Sequence, residues 1–489
     1  MTIFTAVLNS GIPLGKDLLM IELYERIAGC FDGKNIGGTL GMPYEGSVIR
    51  PNIKFYSPLP RHPAANDDLD LQLVWLRALE NYRAELDHNH LAKSFLECVD
   101  CHWDEYGVAL RNLCDGIPPV ASGTHNNFFT CGLGAAIRSE IWAAVFAGNP
   151  AAAAQYAMLD STLDHASEGV YAEVFNAALE SSILGGSSLE QAMQLAKTFL
   201  PEDSRLKQLY DQLDILWQQS GDFEVLYNFI INNYHSYNFT DAVMNGGFVY
   251  SALTAGGGDF EKSVLLAVNC AQDADCNAAT TGAVIGALIG RKEIPQRWKE
   301  VLDNKIVVGD YIKCDRLPET VDELTSRIIA LHNDIANSSS IARLEGCCRL
   351  PDCTAIDEKR KFQVNGMACS APDMCLKLPD LPQLAGENLH IKTTLTLPDG
   401  AENCNLLVAS RGVFTVKLDG KLAAVKGDQS LPLPAPHRVQ GGRVIPLSSM
   451  HNARKFELEI FIYPTYPLPD VYINVFDWNN RHIKTRYNI

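Results

Sequence analysis

The feature that most constrains this chain is a change of hydrophobic period partway along it. From about residue 20 to 340, apolar residues recur at three- and four-residue steps; beyond that they alternate one by one. The first period belongs to a helix face and the second to a strand. In residues 69–86, Leu69, Leu73, Leu76, Leu79 and Leu86 form one helical stripe, and residues 135–148 and the Ala-rich segment after Pro150 behave likewise. Residues 280–290, TTGAVIGALIG, keep the helical period with unusually small side chains, which lets a neighbouring backbone come close. Such a helix belongs in the centre of a bundle. Past Ser338, Ser339 and Ser340, the run Leu389, Ile391, Thr393, Leu395 and Leu397 alternates strictly. Phe414, Val416 and Leu418 do the same and lead into an Asp419-Gly420 hairpin turn. Phe456, Leu458, Ile460 and Ile462, then Val471, Ile473 and Val475, repeat the pattern. Short strands with this Pro and Gly punctuation fit a compact β-sandwich. The expected architecture is an all-α domain over residues 1–340 followed by a smaller C-terminal β-sandwich domain over 341–489, within what 489 residues allow.

Charge narrows the partners. With 41 basic against 58 acidic side chains the net charge is −17, which argues against nucleic acid or an anionic membrane surface as partner. Any anionic substrate needs a local cation. The first twenty residues lack a basic segment followed by a long apolar one, and no later run approaches the ~18 apolar residues of a membrane span. A soluble, cytoplasmic protein is expected, and its 14 scattered cysteines then read as small buried hydrophobes rather than a disulfide framework.

Two acidic clusters carry the chemistry. Asn66-Asp67-Asp68 precedes the helix that begins near Leu69, and Asp273-Ala274-Asp275-Cys276-Asn277 precedes the small-residue helix. Asp and Asn at helix starts cap free backbone N–H groups, which explains either cluster alone. Two of them in one helical domain suggest a bound divalent cation, because adjacent carboxylates repel and a cation holds them together. Asp273 and Asp275 can converge only where the chain is a loop or helix start. Hard oxygen ligands select Mg²⁺, Ca²⁺ or Mn²⁺ over zinc.

With these residues in view, the sequence resembles a known family. Residues 25–46 (ERIAGCFDGKNIGGTLGMPYEG), 66–76, 132–150, 163–175 and 256–290 are similar, in order, to the motifs of the ADP-ribosylglycohydrolase family, also called the dinitrogenase-reductase-activating glycohydrolase type. The β-rich tail lies outside the resemblance. The resemblance implies an all-α domain holding two Mg²⁺ or Mn²⁺ ions that grip a ribose while water displaces an N- or O-linked group from its anomeric carbon. It implies a first metal cluster of Asn66, Asp67 and Asp68 and a second of Asp273, Asp275 and Cys276. It makes Glu45 a metal-side or acid/base carboxylate, with Asp67 and Asp68 the other candidate bases. It also implies backbone N–H groups for a phosphate in the loop Cys131-Gly132-Leu133-Gly134, and a ribose-end lining from His165 and Gly169. Two departures stand out. Asn66 and Cys276 replace the usual Thr or Ser, and a thiol is a poor Mg²⁺ ligand, which puts the second ion in doubt.

Other signals are weaker. Cys98-Val99-Asp100-Cys101-His102 matches a haem-attachment string but lacks an export signal and a second axial ligand. Cys347, Cys348, Cys353, Cys369 and Cys375 match no familiar zinc spacing. Gly256-Gly257-Gly258 reads as a helix terminator, and Arg138 as the partner of an ion pair or of an anionic ligand. His125 reads as a loop histidine or as a neighbour of the phosphate-binding loop. Tyr463, Tyr466, Tyr472 and Trp478 read as sandwich core in preference to a sugar platform. Three functions remain open: a divalent-metal hydrolase acting on ADP-ribose-type substrates, ADP-ribosylated proteins among them; a small-molecule N-ribosidase acting on nucleosides; and a non-catalytic, crystallin-like protein. The oligomeric state is open as well.

Overall fold

Helices Lys16–Gly41 and Ala274–Ile289 set the frame for the acidic clusters. A computed structural model describes residues 16–61, 63–335, 360–371, 374–447 and 454–489. In it these two helices meet backbone to backbone. A Cβ on Gly29, Gly33 or Gly37 would lie 2.3, 2.0 or 2.0 Å from the carbonyl oxygen of Gly286, Gly282 or Ala278. The second helix reciprocates, with Gly282 and Gly286 equally close to the carbonyls of Gly33 and Gly29. No side chain fits at those separations, so the four-residue glycine spacing is what allows the contact. Gly41 extends the seam to Asp275, whose Cα would lie 2.3 Å from an added Cβ. The start of the second helix is thereby fixed against the end of the first.

The stripe beginning at Leu69 forms helix Asp67–Tyr82, with Leu69, Leu73, Leu76 and Leu79 buried, but Leu86, expected on the same helix, follows a separate 3-10 turn, Arg83–Glu85. The helix expected over residues 135–148 is broken into a 3-10 turn, Ala136–Arg138, and a short helix, Glu140–Val145. Side chains intervene there. Arg138 Nε donates to both oxygens of buried Asp160 at 2.9 and 3.0 Å, and the Ile141 N–H goes to Gln72 Oε1 at 2.9 Å instead of to a carbonyl one turn back. The ion-pair reading of Arg138 therefore holds. The segment after Pro150 is helix Pro150–Ser161. Gly257, at φ 64°, ends helix Ala242–Gly256 by donating to Leu253 O at 3.1 Å, so the glycine run is a terminator.

Contacts divide the chain into two compact units. The first draws on Met1–Val99, Cys131–Ser161 and Ser167–Arg349, and the second on Asp100–Thr130, Thr162–Ala166 and Leu350–Ile489. The second unit contains two antiparallel sheets. In one, Leu389–Thr396 pairs with Lys455–Ile462 in the register Thr393↔Leu458, and Phe414–Leu418 pairs with the same strand at Val416↔Ile460. In the other, Asp470–Phe476 lies between Asn405–Ser410 and Cys375–Lys377. Alternate residues of both sheets, among them Ile391, Leu395, Leu458, Ile460, Val408 and Ile473, share one core. Asp470–Phe476 is buried on its other face too, because Tyr472 and Phe476 pack with Leu407, Val108 of helix Asp104–Cys114 and Phe129. Segment 100–130, helical in sequence, thus belongs to the sheet-bearing unit. Asp419 and Gly420, at φ 49° and 75°, close the expected hairpin to Lys421–Lys426.

The core reading of the tail aromatics holds only for Tyr472. Tyr463, Tyr466 and Trp478 follow strand ends and are 54%, 91% and 72% exposed. Cys347, Cys348 and Cys353 lie outside the described residues. Among the described residues no helix is long and apolar enough to cross a membrane.

Candidate metal centre

Both acidic clusters sit where a helix starts, but the capping explanation covers only one of them. Asn66 is the N-cap of helix Asp67–Tyr82, its Oδ1 accepting from Asp68 N at 2.9 Å. That leaves Asp67 half-buried and Asp68 fully buried in the first turn. Gly38 makes room for Asn66 and Asp68, since a Cβ there would lie 1.6 Å from Asn66 Nδ2 and 3.2 Å from Asp68 Oδ2. Asp273, at the N-cap of helix Ala274–Ile289, makes no side-chain capping hydrogen bond.

The approach to Asp273 is strained. Ala271 and Gln272 have φ of 64° and 59°, a left-handed conformation that costs non-glycine residues on the order of 1 kcal/mol or more each. Two main-chain hydrogen bonds of 2.8 Å, Gly46 N to Gln272 O and Gln272 N to Ser47 O, hold the turn. They also tie the Glu45 segment to the loop, so that exposed Glu45 is an electrostatic neighbour of both Asp273 and Asp275.

Asp68, Asp275 and Cys276 converge, with one ligand atom from each within 4.8 Å of the others. Both oxygens of Asp68 and Oδ1 of Asp275 are buried without a hydrogen-bond partner among the described residues. Burial pushes the Asp68 carboxyl up to about 7; Lys34 pulls it down, while Asp67 and Glu140 push it further up. Burial also raises Asp273 and Asp275 well above the carboxylate range, with the surrounding carboxylates adding to it. Buried oxygens lacking donors, set among other carboxylates, fit a hard divalent cation that supplies the missing positive charge. The Cys276 thiol fits less well. Burial, then Asp273 and Asp68, raise its pKa, and a protonated thiol is a poor partner for such an ion.

Behind Asp68 lies a buried polar network that the sequence reading missed. Lys34 Nζ lies 2.8 Å from Glu140 Oε1 and 3.8 Å from Asp68 Oδ1, all three side chains wholly buried. Gln72 Nε2 donates to Glu140 Oε2 at 2.7 Å, and buried Glu180 accepts from Ser139 Oγ at 3.1 Å. Burial acts to lower the Lys34 pKa, but Glu140 and Asp68 outweigh it and raise it, so the ammonium persists. The one visible sign was a lysine in the middle of a glycine-rich helix, which must either face solvent or have buried partners.

The remaining positions lie on other segments of the chain. Gly132 and Leu133 are buried and Gly134 is half-buried, with Gly132 bridging Asp241, and only the three-residue 3-10 turn follows them. Gly169 lies in the first turn of helix Glu168–Leu184. His165 belongs to the sheet-bearing unit and is fully buried. Its Nδ1 lies 2.6 Å from Asp164 and its Nε2 3.4 Å from Glu105. Burial works against its charge, but the two carboxylates prevail and raise its pKa to about 9. His125 offers its carbonyl to Asn112 Nδ2 at 2.6 Å.

A family model described as ADP-ribosylglycohydrolase matches residues 20–334. A protein of Pseudomonas putida (strain GB-1) named ADP-ribosylarginine hydrolase Tri1 is 35% identical over 96 residues, 17% of this chain and 24% of the relative. The match thus spans about a quarter of that relative's length. An uncharacterized protein of Archaeoglobus fulgidus is 25% identical over 324 residues, 63% of this chain and 97% of that one. A solved structure titled ADP-ribosylglycohydrolase-related protein complex aligns with a TM-score of 0.45 and 21% identity, over 65% of this chain and 99% of that chain.

Proposed function

The chain belongs to the ADP-ribosylglycohydrolase family, and from that premise we propose that it is a divalent-metal-dependent hydrolase cleaving the ribosyl bond at the anomeric carbon of an ADP-ribose-type substrate. The observation that carries this reading is the meeting of Asp68, Asp275 and Cys276, with buried carboxylate oxygens lacking donors, in residues from both acidic clusters. Asp68 and Asp275 would hold Mg²⁺ or Mn²⁺, with Asp67, Asp273 and Asn66 around them. A cation held there would supply the positive charge that keeps these acids ionised and would offer a charged anchor for ribose hydroxyls.

The other steps fall to the chain's own residues. Ribosyl cleavage passes through an oxocarbenium-like state, so a base positioned to take the proton of the attacking water speeds it. Glu45 is exposed and adjacent to Asp273 and Asp275, which suits it to that role; half-buried Asp67 is the alternative. Lys34 stabilises the ionised form of Asp68 from behind. The Tri1 relative's name makes arginine-linked ADP-ribose the first leaving-group context to try. The test is release of free ADP-ribose from an arginine-ADP-ribosylated protein, with Mg²⁺, with Mn²⁺ and with EDTA, beside a parallel series of nucleosides. Release that needs the cation supports the reading. Cleavage of nucleosides alone would move the substrate to the N-ribosidase class, and no cleavage of either set with either ion would overturn the enzymatic reading.

A further inference from the structure

The sheet-bearing unit has its own site of converging charge. A cavity of 750 Å³ is lined by the end of helix Asp104–Cys114, the loop after it and the C-terminal segment. Among the described residues, Arg111, Arg360, Lys361, Lys484 and Arg486 line it against a single carboxylate, Asp115. In a chain of net charge −17, five cations around one cavity are a local inversion of sign. Like charges repel, so such a group is stable only where an anion offsets it or solvent screens it.

Two of the cations are held, among the described residues, by neutral groups. Arg111 donates to Asn112 Oδ1 at 3.1 and 2.6 Å, and Asn112 is anchored in turn on the carbonyls of Ser122 and His125 at 2.7 and 2.6 Å. Arg360 donates to Ile473 O at 2.5 Å and lies 4.6 Å over the ring of Tyr487. Among the described residues the hydrogen-bond partners of both guanidiniums are neutral amide and main-chain oxygens. Burial, then the charge of Arg360, pull the Arg111 pKa down to about 9. A second observation is independent of charge. Tyr487 is 3% exposed, its hydroxyl has no hydrogen-bond partner among the described residues, and it lines the same cavity.

We propose that this cavity binds a small phosphate-bearing molecule, with Arg111 and Arg360 gripping the phosphate oxygens and the Tyr487 hydroxyl donating to one of them. Guanidinium forks match phosphate oxygens in pairs, and a phosphate has oxygens enough for two forks and a phenol. The volume lies in the range of about 300–1,000 Å³ usual for small-molecule sites, which favours a compact ligand over a polymer laid across the surface. The site is separate in chemistry from the acid cluster and does not depend on the proposed hydrolysis.

The experiment is calorimetric titration of the full chain with inorganic phosphate, pyrophosphate and ADP-ribose, in EDTA so that no cation can bridge a phosphate to the acid cluster. Saturable binding is expected, weakened at least tenfold in Arg111→Gln and several-fold in Tyr487→Phe. The phenylalanine variant keeps the ring under Arg360 and removes only the unpartnered hydroxyl, so its fold is safe. Pyrophosphate binding as tightly as ADP-ribose identifies the phosphate as the recognised group; ADP-ribose binding more tightly adds contacts from the rest of an ester. No saturable binding of any probe, unchanged affinity in both variants, or tighter binding of a single-stranded oligonucleotide than of pyrophosphate would overturn the proposal.

Discussion

Two adjacent glycines separate the fold from the site. In an unconstrained helix interior, Gly→Ala stabilises by about 1 kcal/mol. At Gly38 the new methyl would lie 1.6 Å from Asn66 Nδ2 and 3.2 Å from Asp68 Oδ2, both side-chain atoms. Asn66 can swing aside, at the loss of its 2.9 Å bond to Asp68 N, a cap worth about 1 kcal/mol. Gain and loss offset, so Gly38→Ala should leave stability within about 1 kcal/mol of wild type. Its Mn²⁺ affinity should fall at least tenfold, about 1.4 kcal/mol, because Asn66 and Asp68 are displaced. At Gly37 the methyl would meet Ala278 O and C at 2.0 and 2.3 Å, which are backbone atoms that cannot rotate away. The two helices must separate there, and such overpacking costs about 3 kcal/mol, or about 2 kcal/mol net of the alanine gain. Urea denaturation and the free-Mn²⁺ electron paramagnetic resonance signal read the two quantities separately. Wild-type Mn²⁺ affinity in Gly38→Ala, or a larger stability loss there than in Gly37→Ala, would refute the reasoning.

Three further outcomes follow from the same geometry. Lys34→Met should destabilise by about 3–5 kcal/mol, since it strands Glu140 and Asp68 in the interior, and Glu140→Gln added to it should recover much of that by urea denaturation. Asp273→Ala should lose Mg²⁺-dependent thermal stabilisation without the roughly 1 kcal/mol penalty of a lost cap, because Asp273 caps nothing; a cap-sized loss in the cation-free protein would count against this. His165, raised to about 9 in the folded state, contributes stability that is complete below pH 6.5 and lost as pH rises through about 9, on the order of 3 kcal/mol in all. His165→Asn should flatten the stability profile across that window, and an unchanged slope would show that the imidazolium is not held there.

Much of this was legible in the sequence, for reasons that also explain the rest. The stripe at Leu69, Leu73, Leu76 and Leu79 and the alternation at Leu389, Ile391 and Leu395 are local periodicities, and each produced the expected element. The Asp419-Gly420 turn was likewise local, since both residues accept positive φ. The pairing of residues 16–41 with 274–289 was only half visible. TTGAVIGALIG announced a close neighbour, but naming that neighbour required noticing that Gly29, Gly33, Gly37 and Gly41 repeat the same four-residue step. The break at Arg138 could not be read locally, because Asp160 and Gln72 impose it through side-chain contacts. The same holds for segment 100–130, whose Val108 finds its core among strand residues roughly 300 positions later, a tertiary preference that helical periodicity does not encode. Both acidic clusters were visible at once. What Asp273 does could be separated from capping only when its side chain proved to make no capping bond.

The most direct test of the central claim is anomalous scattering at the manganese edge from crystals of the full chain grown with Mn²⁺. The account predicts anomalous density where the carboxylate oxygens of Asp68 and Asp275 converge. A cluster free of anomalous density in crystals that bind Mn²⁺ elsewhere would contradict it.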